Sequence, residues 1–199
     1  PRAPTHSGDM KLVGLVLALA LCGAALGLFP DDLTPGDYSA FEPETGGVNV
    51  DTVAKVVTNG PGGGFCVGGY AEAVSSEYSL PGTLDPLSLG QGGRSAWIAN
   101  FGQDGQQKWM VHFGSSRDDE VLGLAVSGGF LYVTGYTSDA IVKAARKGLK
   151  DIFVMRFDVE SGERDELYSV MLGTSKDDIG NALVSAPTGE VYIAGTTGG

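Results

Sequence analysis

Two pairs of adjacent carboxylates, Asp118-Asp119 and Asp177-Asp178, are the residues best suited to chemistry, and they stand 59 positions apart. Carboxylates repeated in this way could hold Ca²⁺, a hard cation that takes roughly six to eight oxygen ligands. Aspartate has a second use at a turn, where its oxygens accept hydrogen bonds from nearby backbone N–H groups. Each copy has only two aspartates together and no D-x-D-x-D-G loop. The turn-forming role is therefore the expectation, calcium is the alternative, and no other cofactor is expected.

Other reactive residue types are sparse. His6 and His112 are the only histidines, and a His-based triad, a zinc motif and a phosphate-binding glycine loop are all absent. His112 lies in a strand-like run that aligns with Met171, which predicts a packing slot. Glycosidase chemistry needs two carboxyl groups about 5–10 Å apart with opposed pKa values, a relation that spacing along a chain does not establish. No catalytic residue is assigned, and the reading leans away from an enzyme. Lys143, Arg146, Lys147 and Lys150 form a short basic stretch on an acidic chain. It reads as a solvated loop face, with docking of an anionic glycan or acidic partner as the alternative.

The elements that position these residues are written in glycine and in β-branched and aromatic runs. Glycine supplies 32 of 199 residues, about twice its usual share, with no G-x-y period. Glycines clustered between short apolar runs spell an all-β chain with many turns. The formal net charge of −11 excludes a nucleic-acid partner, because a phosphate backbone needs a basic face.

The amino-terminal region reads differently. Met10 and Lys11 precede an apolar run from Leu12 to Phe29 that ends in small residues, followed by Pro30, Asp31 and Asp32. This is the layout of a secretory signal peptide over residues 10–27, with residues 1–9 upstream of it and a linker over 28–47. The chain is expected outside the cell or on its surface. The alternative is a membrane anchor formed by residues 12–29. Removal of the signal leaves Cys66 as the sole cysteine, so no internal disulfide is expected.

Self-similarity organises the remainder. Phe113–Asp119 matches Leu172–Asp178 at a spacing of 59, and Leu131–Gly135 matches Val191–Gly195 at a spacing of 60. A weaker copy, Phe65–Tyr70, lies 66 residues before the second. Each period holds four strand-like runs, in the second copy Val121–Val126, Phe130–Tyr136, Asp151–Asp158 and Glu166–Leu172. Four short strands recurring as a unit predict a β-propeller of four-stranded antiparallel blades. Residues 48–117 make the first blade, 118–176 the second, and 177–199 half of a third. About two and a half blades are thus present, and the expectation is a truncated reading frame. Because strands alternate in direction, one end gathers the aspartate pairs and the long connections 71–94 and 137–150. The other end carries short glycine turns such as Gly60–Gly64.

The pattern Leu172-Gly173-Thr174-Ser175-Lys176-Asp177-Asp178-Ile179-Gly180-Asn181, followed by Val191–Gly195, resembles the SBBP-type β-propeller repeat. The resemblance covers about residues 48–199. The second copy departs from it at Val121 and Leu122, and the first keeps only Asp51 of the aspartate pair. It implies export or surface display and supplies no shared reaction. Phe101–Gly114 is also similar to the Gly-x-x-x-Trp signature of quinoprotein-type repeats. Trp109 there aligns with Tyr168, so an inter-blade packing role is expected. The resulting expectation is a secreted or surface-displayed binding or scaffold module for protein or carbohydrate ligands. The alternative is a secreted propeller enzyme, a hydrolase, lyase or quinoprotein-like protein, with its catalytic residues in further blades.

Overall fold

The computed structural model of the chain describes residues 52–72, 83–84, 93–141, 146–186 and 188–199. The predicted signal peptide, the linker, Asp51 and Lys143 lie outside these residues. Among the described residues, no helix is long and apolar enough to cross a membrane.

The fold is all-β and built of antiparallel sheets. The first sheet contains β1 (Thr52–Asn59), β2 (Phe65–Glu72), β4 (Arg94–Phe101) and β5 (Gln107–Phe113), paired in that order. A two-residue strand, β3 (Thr83–Leu84), adds to β5 in parallel. The second sheet runs β6 (Asp119–Ser127), β7 (Phe130–Thr137), β8 (Asp151–Asp158) and β9 (Val170–Leu172). The third holds β10 (Asp178–Ser185) and β11 (Val191–Thr197). The strand-like runs of the second repeat thus form one sheet in the expected order, and the Asp118 and Asp177 segments both enter the first strand of a sheet.

Three details differ from the sequence reading. Asp119 and Asp178 are the first residues of β6 and β10, so each pair straddles a strand boundary instead of lying in a turn. The expected fourth run, Glu166–Leu172, is divided. Glu166–Tyr168 forms a 3₁₀ turn and only Val170–Leu172 pairs with β8. The cause is Asp165, whose carboxylate accepts the Leu167 N–H at 3.0 Å and pairs with Arg156 on β8, tying the chain into a turn before it can extend. The third difference is β3, within a segment expected to be a loop.

The three sheets repeat a backbone irregularity. A β-bulge interrupts the β1–β2 ladder between Ala54 and Val56, the β6–β7 ladder between Val121 and Gly123, and the β10–β11 ladder between Gly180 and Ala182. The extra residues are Lys55, Leu122 and Asn181. A bulge bends its strand and increases the local twist. Here a carbonyl of the bulged strand crowds its neighbour. A Cβ placed on Gly69, Gly135 or Gly195 would lie 1.9, 1.8 or 2.2 Å from the carbonyl oxygen of Val53, Glu120 or Ile179. The glycine that closes each Val-Tyr-type strand is therefore required by the strand beside it.

The first and second sheets pack face to face. Cys66, Ala96, Ile98, Trp109, Val111 and Phe113 from the first share one core with Val121, Leu131, Val133, Phe153, Met155 and Phe157 from the second. The Phe113 ring meets Phe153 edge-on at 5.7 Å and Phe157 at 5.5 Å. A polar fastening reinforces the joint: the Val159 carbonyl accepts both Asn100 Nδ2 (2.8 Å) and Trp109 Nε1 (3.0 Å). The Trp109 ring also lies against Gly162. Trp109 thus docks one sheet onto the next, as its alignment with Tyr168 predicts. On the other side of the second sheet, β10 packs against β6, β7 and β8.

Cys66 is fully buried in this core, and burial pushes its thiol up to about 12. The thiolate is the reactive form, so a thiol reagent has neither access nor a nucleophile. Labelling of Cys66 is expected to be negligible in the native chain and complete in urea. Labelling in native buffer at the rate of a free thiol would contradict this packing.

Candidate functional site

The same end of the sheets carries the loop that enters each first strand and the connection from the second strand to the third. Between these loops, about the start of the second sheet, is a cleft of about 510 Å³. Gly93, Ser116, Arg117, Asp118, Ser138, Leu149, Lys150 and Asp177 line it. The loops are tied together by backbone hydrogen bonds from Ser138 N–H to the Asp118 carbonyl (2.9 Å) and from Asp178 N–H to the Lys150 carbonyl (2.9 Å).

The cleft separates the members of each aspartate pair. Asp118 and Asp177 line it, whereas Asp119 and Asp178 turn into the protein and hold the preceding loop. Asp119 Oδ2 accepts the Ser115 N–H at 2.5 Å and the Ser115 hydroxyl at 2.9 Å. Asp178 Oδ2 accepts the Thr174 N–H at 2.7 Å and the Thr174 hydroxyl at 2.9 Å. Each of those hydroxyls in turn accepts a backbone N–H, from Arg117 or Lys176. The four expected metal candidates therefore do not face one another as one ligand set. Among the described residues there is no group of three or more His, Cys, Asp or Glu side chains placed to hold a metal ion. Within the second sheet Asp151 repeats the device, accepting N–H groups of Lys147 and Gly148.

The buried members respond to their depth. Asp119 is out of solvent contact beneath the joint between the first two sheets, and burial raises its pKa from 3.8 to about 6 against the hydrogen bonds from Thr137 and Ser115. Asp178 begins a strand with no described sheet on its far side. Hydrogen bonds from Thr197 and Thr174 dominate there and hold its pKa below the usual range. Asp119 thus keeps its proton more tightly when folded, and the associated stabilisation is present below about pH 4 and lost as pH rises through about 6. At roughly 1.4 kcal/mol per pKa unit the loss is about 3 kcal/mol. Asp119→Asn removes this ionisation. Relative to wild type, the variant is expected to gain about 3 kcal/mol between pH 4 and 7 in urea titrations. A pH-independent difference between the two proteins would contradict the buried, protonated carboxyl.

Below the cleft a charged cluster crosses the joint. The buried Glu120 carboxylate lies 3.3 Å from Lys55 Nζ and 3.7 Å from Arg94 Nη1, and it accepts the Tyr136 hydroxyl at 3.1 Å. Burial, then the Glu120 charge, pushes the Tyr136 phenol up to about 12. The cations lie on aromatic faces: Arg94 4.3 Å from the Tyr70 ring centre, and Lys150 4.0 Å from that of Tyr136. The first two sheets thus repeat one arrangement, a basic residue entering the third strand over a tyrosine of the second. Sequence reasoning missed this cluster, although the Gly-Tyr dipeptides Gly69-Tyr70 and Gly135-Tyr136 were a visible signal for half of it.

The described residues of the basic stretch take different positions. Arg146 donates to the Ser138 carbonyl at 3.0 Å, Lys147 is exposed, and Lys150 joins the cleft. His112 is 1% exposed, pairs in register with Trp97, and neither of its ring nitrogens has a hydrogen-bond partner among the described residues. Burial lowers its pKa to about 4, so it is neutral at pH 7. Its counterpart Met171 pairs with Phe153, so both residues occupy a packing slot.

No family model matches the chain, and no curated protein matches it. The SBBP-type resemblance therefore rests on the residues quoted for it, and the chemistry of the cleft is the guide to function. The cleft offers carboxylates, cations and two serine hydroxyls. Arg117 Nε lies 4.0 Å from Asp139 Oδ2, and Asp118 Oδ1 accepts the Arg94 N–H at 3.0 Å. Its charges balance, which suits hydrogen bonding to a polar ligand. No nucleophile–base couple is formed among the described lining residues.

Proposed function

We propose that the chain is part of an exported β-propeller of SBBP type that serves as a binding or scaffold module, with a protein or carbohydrate ligand received at the loop end. The observation that carries this reading is the cleft, which is bounded by corresponding loops of successive repeats. Positions 118 and 177 correspond between repeats, so a ligand there would be held by a repeated pair of side chains. Two features support the propeller architecture: strands of the same rank occupy the same place in each sheet, and successive sheets stack. Charge balance in the cleft favours neutral glycans or mixed-charge peptide segments over strongly charged ligands. Calcium joins this reading only as a ligand-bridging ion on Asp118 and Asp177.

The test is binding of the purified chain to a glycan array and a peptide library, with calcium and with chelator. Asp177→Ala is expected to weaken binding at least tenfold without lowering stability, and Lys150→Ala to weaken it as much while losing its contact with the Tyr136 ring. Binding that survives both substitutions, or no binding in either library, would overturn the proposal. Equal binding with chelator would remove calcium from it.

A further inference from the structure

Arg94 and Lys150 hold the same place in the first two sheets. In the β2–β4 and β7–β8 registers Tyr70 faces Ala96 and Tyr136 faces Ile152, so each cation stands two residues before the partner of its tyrosine. Each lies on that tyrosine's ring, at 4.3 and 4.0 Å. Their counter-charges differ. Arg94 has two carboxylates in reach, Glu72 at 4.0 Å and Glu120 at 3.7 Å. Glu72 stands two residues after Tyr70, and the residue two after Tyr136 is Ser138. Glu120 follows Asp119, which faces Thr137; the equivalent Asp178 faces Thr197 and is followed by Ile179. A hydroxyl and an alkyl group thus replace both acids, and no carboxylate pairs with Lys150 among the described residues. The ring face offsets part of the ammonium's desolvation and leaves its charge without a partner.

Lys150 lines the cleft, and so does Asp177, which faces it across an isolated parallel bridge. The two do not pair. The Lys150 ammonium lies on the Tyr136 ring instead, and the exposed Asp177 carboxylate has no ion pair or hydrogen bond among the described residues. The other two charges of the cleft are engaged, Arg117 with Asp139 and Asp118 with the Arg94 N–H. One cation and one anion are therefore open on neighbouring backbones. We infer that the cleft receives a mixed-charge polypeptide segment, whose acidic side chain meets Lys150 and whose basic side chain meets Asp177. This rests on the cleft being the binding site and names its ligand. Glycans commonly carry acids but seldom a cation beside them, whereas Lys or Arg close to Asp or Glu is ordinary in polypeptides. In an extended segment residues two apart share one face, so an acid and a base at that spacing reach both groups together. Opposite charges placed this way select the partner, because a ligand of the wrong sign is repelled.

The experiment is binding of the purified chain to synthetic hexapeptides of four charge patterns: glutamate and lysine two residues apart, glutamate alone, lysine alone, and neither. A glycan array is run beside them at the same ionic strength. The mixed pattern is expected to bind at least tenfold more tightly than either single-charge pattern, with the advantage shrinking as salt is raised. In Lys150→Glu the preference is expected to shift to peptides with lysine in place of the glutamate. Lys150→Arg, which keeps a cation on the ring as Arg94 does, is expected to keep the original preference. Equal binding of mixed and single-charge peptides by the wild-type chain overturns the inference without recourse to any variant. So does a folded Lys150→Glu chain with the wild-type preference. Glycans bound at the cleft with no peptide bound overturn this inference alone, whereas no binding in either library overturns the cleft reading with it.

Discussion

Gly135→Ala is expected to lower the free energy of unfolding by about 3 kcal/mol or more. The added Cβ would lie 1.8 Å from the Glu120 carbonyl oxygen, 2.9 Å from its carbon and 3.1 Å from Phe153 Cζ. Two of those atoms are backbone, held by the ladder on one side and by the bulge on the other. A flexible side chain could swing away, but here the strands must separate. Overpacking in a core commonly costs ~1–3 kcal/mol, and this site offers less room than most. β7 is also flanked by β6 and β8, so the shift is transmitted to both neighbours. Gly195→Ala makes the corresponding clash in a two-stranded sheet. Its effect is expected to be local, with exchange protection lost across β10 and β11 and kept in the first two sheets. Chemical denaturation of the two variants measures the contrast. A Gly135→Ala protein as stable as wild type would mean that the bulge is not where the register places it.

Phe113→Ala is expected to cost about 3–5 kcal/mol, and Leu172→Ala less than about 1 kcal/mol. Both residues occupy the same place in their repeats, so propensity and register are matched, and the difference lies in what covers them. Phe113 is 1% exposed against two phenylalanines of the next sheet, and its removal opens a cavity in a core that cannot collapse without moving β8. Leu172 is half exposed and loses little when truncated. The comparison is made on urea unfolding curves at one pH, since Asp119 makes stability pH-dependent. Equal costs at the two positions would show that the first and second sheets are not joined through Phe113.

The strands were legible wherever apolar residues recur with turn glycines between them. Asp151–Asp158 has the expected extent and Phe130–Thr137 exceeds its expected run, Phe130–Tyr136, by one residue, because each alternates or runs apolar between polar ends. The start of β6 was not legible, because aspartate is read as a turn residue. The N–H and hydroxyl of Ser115, together with the Thr137 side chain, make Asp119 acceptable as a buried strand residue. The shortening of the fourth strand depends on Arg156 meeting Asp165, nine residues away on a different element, which local pattern does not encode. β3 has only two residues, too few for any periodicity. In the candidate site, strand alternation alone brought both aspartate pairs and the long connections to one end. The division of each pair between cleft and interior followed from the pleat: one residue's shift across a strand boundary reverses the direction of its side chain. The Glu120 cluster escaped notice because its partners lie on β1, β2, β4 and β7 and share no spacing in the chain.

The central claim is that the three sheets are copies of one unit, each with a bulge in its first strand opposite the crowded glycine. Cross-strand proton contacts measured by NMR test it most directly. The account predicts paired contacts for Ala54–Gly69 and Val56–Gly68, for Val121–Gly135 and Gly123–Thr134, and for Gly180–Gly195 and Ala182–Ala194, with Lys55, Leu122 and Asn181 unpaired in all three. A continuous ladder through any of those three residues would contradict it, because the glycine on the facing strand would then have no cause in common with the others.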